Sequence, residues 1–197
     1  MSKENREIEK KDLLAPKIYE QSRKQIRKEL IKFKKNRRIA LGPYATFYFE
    51  SFETMLGQVQ EMLYIEKGGD EQLKDELTIY NPLVPSGKEL VATLMFEIDN
   101  PVSRSIFLGK IGGVEKNVFM KIENEKIYAI PETDIDRTSA EGKASSVQFI
   151  HFKLKDEQII MFRNINSNIE IGIEHKEYLH TTKLTEENIK SLLTDFN

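Results

Sequence analysis

The chain has 197 residues, of which 39% are hydrophobic and 31% charged, and its net charge is −2. That balance suits one globular domain with a sizeable core and excludes disorder by composition. Cys is absent, which excludes disulfides, thiolate metal sites, cysteine nucleophiles and a cysteine-ligated iron–sulfur cluster held by this chain.

The charge is unevenly spread. Residues 1–40 carry 14 Lys and Arg against 6 Asp and Glu, whereas residues 41–197 carry 16 against 26. Two explanations fit: an acidic partner for the N-terminal part, or a basic helix neutralised by its own acidic body. A dedicated nucleic-acid domain is usually basic overall, and this chain is not. No apolar run reaches bilayer length, and the charged opening MSKENREIEKKD has no apolar signal region. A cytoplasmic protein without membrane insertion is the expectation. Residues 1–197 read as a single domain, with 1–14 as a flexible charged tail.

The first helix is expected over residues 16–35, with Pro16 at a position where its missing N–H has no partner. Ile18, Ser22, Ile26, Leu30 and Phe33 form its apolar stripe. Arg23, Arg27, Lys28, Lys34 and Lys35 lie around the other side. Lys32, Lys34 and Lys35 read as a solvated helix end, favoured there by the helix dipole. Arg37 and Arg38 fall beyond it, beside a strand.

Gly42-Pro43 signals a turn, and residues 45–49 alternate as a strand with aromatics on both faces, so both faces should be covered. A second helix spans 52–67, with Met55, Leu56, Val59, Met62 and Leu63 as its stripe. Gly68-Gly69 ends it, and Glu66 falls on the core-facing stripe. A short helix covers 70–77, followed by the loop NPLVPSG. Strands are expected at 89–98, 118–123, 126–130, 146–154 and 168–174, which are rich in Val, Ile and Phe, with a tight hairpin at Asn124-Glu125. Short helices are expected at 103–110 and 156–163, and a terminal one at 184–196 capped by Thr185. Residues 131–146, PETDIDRTSAEGKASS, form a long polar loop of the kind that is more often functional or mobile than accidental. The fold class is α+β: a largely antiparallel sheet with helices packed against it and a long basic N-terminal helix.

Three His residues are present, His151, His175 and His180. His175 and His180 are five apart, not at the spacing that puts two imidazoles on one helical face. In a turn they could converge with Glu174, Glu177 or Glu66 around zinc, iron or manganese, so a divalent metal is a candidate cofactor. Against this, each His reads equally as a hydrogen-bonded or surface residue. Glu61 and Glu66 with Gln58 are acid/base candidates, although five residues turn about 140° on a helix. An ion pair of Glu66 with an Arg such as Arg37 is the plainer reading. PSGK and LGKIGG fail the phosphate-loop and dinucleotide patterns. The basic residues 23–38, with Phe33, Tyr44 and Tyr48, could bind single-stranded nucleic acid by charge and stacking. The aromatics alternate like core positions, which argues against it.

The strings KNRRIALGPYATFYFES, QVQEMLYIE, ELTIYNPLVPSGKELVATLMFEI, YAIPETDIDRTSAEGKASSVQFIHFKL and IGIEHKEYLH together resemble a bacterial family, the domain-of-unknown-function family numbered thirty-five hundred and one. The resemblance covers nearly the whole chain in order. Residues matching the family pattern are Arg37, Arg38, Gly42, Pro43, Gln58, Glu61, Glu66, Asn81, Pro82, Ser145, His175, Tyr178 and His180. Tyr44 and Gln148 depart from it, standing where the family pattern carries His, which weakens the metal reading. The resemblance implies no reaction. It implies a link to redox or oxidative-stress metabolism, with rubrerythrin-like or iron–sulfur oxidoreductase proteins as partners by association. It also makes Arg37 and Arg38, beside the strand, candidate site residues.

The resulting expectation is a cytosolic binding or accessory protein with a polar cleft for an anion or metal. Arg37, Arg38, Gln58, Glu61, Glu66 and Tyr178 would bind the ligand, and His175, His180 and Glu66 a metal. The alternatives are an enzyme using Glu66 or His180 as general base, and nucleic-acid binding through residues 23–38.

Overall fold

The computed structural model describes residues 3–132, 138–140, 142–164 and 166–197. The chain opens with α1 (Pro16–Lys35), then the hairpin of β1 (Arg38–Leu41) and β2 (Ala45–Phe49). Two helices follow, α2 (Phe52–Glu66) and α3 (Gly69–Tyr80), then β3 (Glu89–Phe96) and α4 (Pro101–Lys110). β4 (Val118–Ile122), β5 (Glu125–Tyr128), β6 (Ile130–Pro131) and β7 (Val147–Lys153) come next. α5 (Asp156–Arg163), β8 (Ile169–His175), β9 (Tyr178–Lys183) and α6 (Glu186–Leu192) complete the order. The class is α+β, with two antiparallel sheets.

The sheets run β1-β2-β3-β7-β6 and β5-β4-β8-β9. Strand alternation explains how they stack. On β3, Leu90, Ala92, Leu94 and Phe96 point one way and share a core with Ile150 and Phe152 of β7. Met120, Ile122, Ile169, Ile171 and Ile173 of the second sheet complete that core. Val91 points the other way, into a second core with Phe52, Met55, Val59 and Leu73 of α2 and α3. The five-stranded sheet is therefore the middle layer, between helices and a second sheet. Each large apolar side chain buried this way contributes roughly 1.5–3 kcal/mol.

The expected helices and most strands are present, and the differences are instructive. The strand expected at 126–130 breaks at Ala129: β5 belongs to one sheet, and β6 pairs with β7 in the other. The chain thus crosses between layers in one residue. β1 and β9 were not anticipated as strands; each is short and polar on one face. α2 ends one residue early, at Glu66, with Lys67 capping it in the left-handed conformation, and α3 runs on to Tyr80 rather than stopping at 77. The terminal helix stops at Leu192 and tightens into a 3-10 turn, with Thr185 accepting a hydrogen bond from Asn188 N as its cap. Part of the long polar loop, residues 133–137 and 141, lies outside the described residues.

Residues 3–14, expected as a flexible tail, lie against the body. Ile8 is 1% exposed, and the Asn81 side chain bonds both its N–H (2.8 Å) and its carbonyl (3.2 Å). On α1 the expected apolar stripe holds at Ser22, Ile26, Leu30 and Phe33 and departs only at its first member. Ile18 is 56% exposed, and Tyr19 is the one residue of the helix that is fully buried. Ile26, Leu30 and Phe33 line an apolar slot of about 320 Å3 left open against α2. Leu30 comes close to α2 because Gly57 has no side chain; a Cβ there would sit 2.6 Å from Leu30 Cδ2.

The two sheets are pinned at one end by Tyr178. Its hydroxyl donates to Leu41 O (2.5 Å) and accepts from the amides of Tyr44 (3.1 Å) and Ala45 (2.9 Å). β9 is thereby fixed to the β1–β2 turn. Gly42, at φ +60°, makes room: a Cβ there would meet the His180 ring at 2.6 Å. Tyr178→Phe should cost about 1–3 kcal/mol, because three backbone groups lose a buried partner. Urea denaturation with an unchanged slope would measure it.

Candidate functional site

The residues expected to line one cleft are dispersed. Arg37 is 1% exposed and structural. Its Nε donates to Phe49 O (3.0 Å), Nη1 to Ser191 O (2.8 Å), and Nη2 to Glu50 O (2.7 Å) and the Asp195 carboxylate. The Phe33 ring lies 5.4 Å from the guanidinium. The fork is filled by protein, so Arg37 grips the C-terminal turn and not a ligand. Arg38, one residue on, points to the opposite face of β1, exposed, over Tyr48 (5.1 Å) and 3.4 Å from Glu97.

Glu66 is exposed rather than core-facing and accepts from Gln72 Nε2 (3.1 Å), and among the described residues it forms no ion pair with an Arg. Its position at the last residue of α2 frees it from the helix stripe. Gln58 contacts the Tyr80 hydroxyl at 3.4 Å. His175 and His180 lie on adjacent strands of the β8–β9 hairpin, not in a turn. His175 Nδ1 accepts from Glu177 N (3.3 Å), and the His180 ring packs 4.5 Å from that of Tyr178. Glu66 sits on a helix of the other layer. Among the described residues no group of three or more His, Asp or Glu is arranged to hold a metal ion.

Two polar clusters do form. In the first, Glu61 joins α2 to α1. Arg23 meets it bidentately (2.9 and 2.8 Å), and Tyr19 donates to it at 2.5 Å. The Arg23 guanidinium also lies over the Tyr64 ring, 4.8 Å from its centroid. Arg23's hydrogen bonds hold the Glu61 carboxyl below the ordinary range against a smaller effect of burial, and Arg27 adds to the lowering. Burial, then the Glu61 charge, push the Tyr19 phenol well above its usual value.

In the second, His151 sits between two carboxylates, Nδ1 at 3.1 Å from Glu89 and Nε2 at 2.7 Å from Glu132. Burial alone would push the imidazole down, but the two carboxylates outweigh it, and it titrates above its ordinary value. This cluster ties β3 and β7 to the segment after β6. Sequence could not show it, because the register that sets Val91 opposite His151 is fixed only by the sheet.

Beside the first cluster, α1 presents a shallow trough of about 510 Å3 lined by Arg23, Lys24, Arg27, Lys28 and Lys32, with Ile31, Glu20 and Tyr64. Among the described residues only Arg23 of those five cations forms an ion pair. Lys24, Lys28 and Lys32 repeat at every fourth residue, as do Arg23 and Arg27. Like charges at that spacing destabilise a helix by about 0.2–0.5 kcal/mol per pair. The sequence carries this signal in the spacing of Lys24, Lys28 and Lys32, whereas Tyr64 joins them only through the packing of α2 beside α1.

Two buried groups give a pH signature. Burial, opposed by Arg37, pushes Asp195 up to about 6. The folded state therefore binds more protons than the unfolded one between the ordinary value of 3.8 and about 6, and stability falls as pH rises through that window. The His151 contribution is full below the ordinary value of 6.5 and is lost as pH rises through the raised folded value. Glu53, Glu61, Glu89 and Glu97, held below the ordinary range, act in the opposite direction at acidic pH, so each contribution is read as a difference from a variant. The urea midpoint of the chain relative to Asp195→Asn should fall across the acidic window, and relative to His151→Gln across the upper one. Arg37→Ala should cost about 3–5 kcal/mol, since it leaves Asp195 buried and unpaired.

No curated protein matches the chain. Among solved structures, a protein of unknown function from Burkholderia pseudomallei K96243, with a crystal structure at 1.90 Å resolution, is similar at 32% identity and a TM-score of 0.89, over 96% of this chain and 99% of that one. The family model described as protein of unknown function (DUF3501) matches residues 7–196. The chain belongs to that family.

Proposed function

We propose that the protein is a binding module that docks an anionic partner on the basic face of α1. The carrying observation is the row Lys24-Lys28-Lys32 with Arg27 beside it, none of which forms an ion pair among the described residues. Their stacking one turn apart disfavours the isolated helix, since like charges at that spacing repel. A bound anion turns the same arrangement favourable, because clustered cations raise the local potential and speed encounter with a negative surface.

The helix is suited to this use. It spans 20 residues but buries only Tyr19, and its attachment rests on the Tyr19–Arg23–Glu61 cluster and the Leu30–Gly57 contact. The attachment uses one side and leaves the cationic side to solvent. The redox proteins implied by the family resemblance enter as candidates for the anionic partner. The anion expected at Arg37 moves, in this reading, some turns back along α1.

The test is binding to polyglutamate, read by fluorescence anisotropy at rising salt. Affinity should fall linearly on a log–log plot, as charge neutralisation requires. Lys24→Gln/Lys28→Gln/Lys32→Gln should abolish binding while thermal stability holds or rises, because repulsion along the row is removed. The exposed Lys153→Glu serves as control. Binding retained by the triple variant would refute the reading.

A further inference from the structure

We infer that the anionic partner is an acidic amphipathic helix of another protein, laid along α1; this rests on the binding reading above and narrows it. Three features favour a helix over a phosphate backbone.

The first is pitch. Residues four apart on a helix are separated by ~6 Å along its axis. The row Lys24-Lys28-Lys32 repeats with that step. A second helix with Glu or Asp at every fourth position has the same step, so successive pairs stay in register along the whole face.

The second is an apolar seat within the charge. Ile31 lies in the trough among the cations and is 68% exposed, and Tyr64 forms part of its wall. A sugar–phosphate chain gains little from Ile31. Tyr64 is also poorly placed to stack a base, since the Arg23 guanidinium already covers its ring at 4.8 Å. An amphipathic helix presents apolar side chains between its carboxylates, and these would cover Ile31 and the exposed part of Tyr64.

The third is extent. The positive surface is confined to the N-terminal part, and residues 41–197 carry 26 Asp and Glu against 16 Lys and Arg. A long nucleic acid passing over α1 would run onto an acidic body. A helix of a few turns would match the cationic stretch and end where it ends. Glu20, at the N-terminal end of the trough, sets one limit by repelling carboxylates and favouring a basic or neutral residue there.

The experiment uses the full chain and three fluorescent probes of equal net charge. One is a peptide with Glu at every fourth position and Leu on the same face. The second is that peptide with its order scrambled, and the third is a single-stranded oligonucleotide. The patterned peptide should bind about tenfold more tightly than either of the others and gain helicity on binding, since steering by charge alone is indifferent to order. Ile31→Ala should narrow the gap between patterned and scrambled peptides. Equal binding of the two peptides, or tighter binding of the oligonucleotide, would overturn the helical partner and leave the anion-binding reading standing. If none of the three binds even at low salt, both fall.

Discussion

The Arg37 guanidinium, 1% exposed, is the point on which the rest of the chain depends. It sits just after α1, opposes Phe49 through a backbone hydrogen bond, and reaches Ser191 and Asp195 at the other end of the sequence. One side chain thus joins the N-terminal helix, the first hairpin and the C-terminal turn. A buried guanidinium is tolerable only when its donors are satisfied, and here three carbonyls and a carboxylate do so. The cost shows on the partner: Asp195 is held near 6 by its burial even with a cation beside it. Tyr178 does the equivalent work for the second sheet, using a neutral hydroxyl and three backbone groups.

These two anchors separate folding from binding within a short stretch of chain. The basic run from Arg23 to Arg38 is one charge cluster in sequence, but it serves several purposes in three dimensions. Arg23 and Arg37 are spent on structure, and Arg38 is engaged with Tyr48 and Glu97. What is left over, Lys24, Arg27, Lys28 and Lys32, forms a continuous face that no acidic group of the described body neutralises by direct pairing. In the proposed reading, a row of like charge left without ion pairs serves a partner, since its spacing disfavours the isolated helix.

Much of the architecture was legible because it rests on local pattern. Pro16, the alternation at 45–49, the Gly68-Gly69 break and the Thr185 cap each fixed an element to within a few residues. What sequence concealed was set by tertiary choice. Ile18 and Tyr19 differ by one step on a helix, and only the position of α2 decides which is buried. The crossing at Ala129 is invisible in a run of β-formers. The candidate site suffered most. Matching the family pattern drew attention to Arg37, Glu66, Tyr178 and His180, and of these Arg37 and Tyr178 turn out to anchor the fold. Of the lysines that read as a solvated helix end, Lys32 lines the candidate surface, together with Lys24 and Lys28 from earlier turns.

The central claim is that the cationic face of α1 is strained in the free protein rather than balanced by the acidic body. Amide hydrogen exchange of α1, followed at low and at high salt without any partner, tests this directly. Protection between Lys24 and Lys32 that rises with salt, as the like charges are screened, is the predicted result. Protection that falls with salt would mean the helix is held by attraction to the acidic body, and the cations would then be accounted for by folding alone.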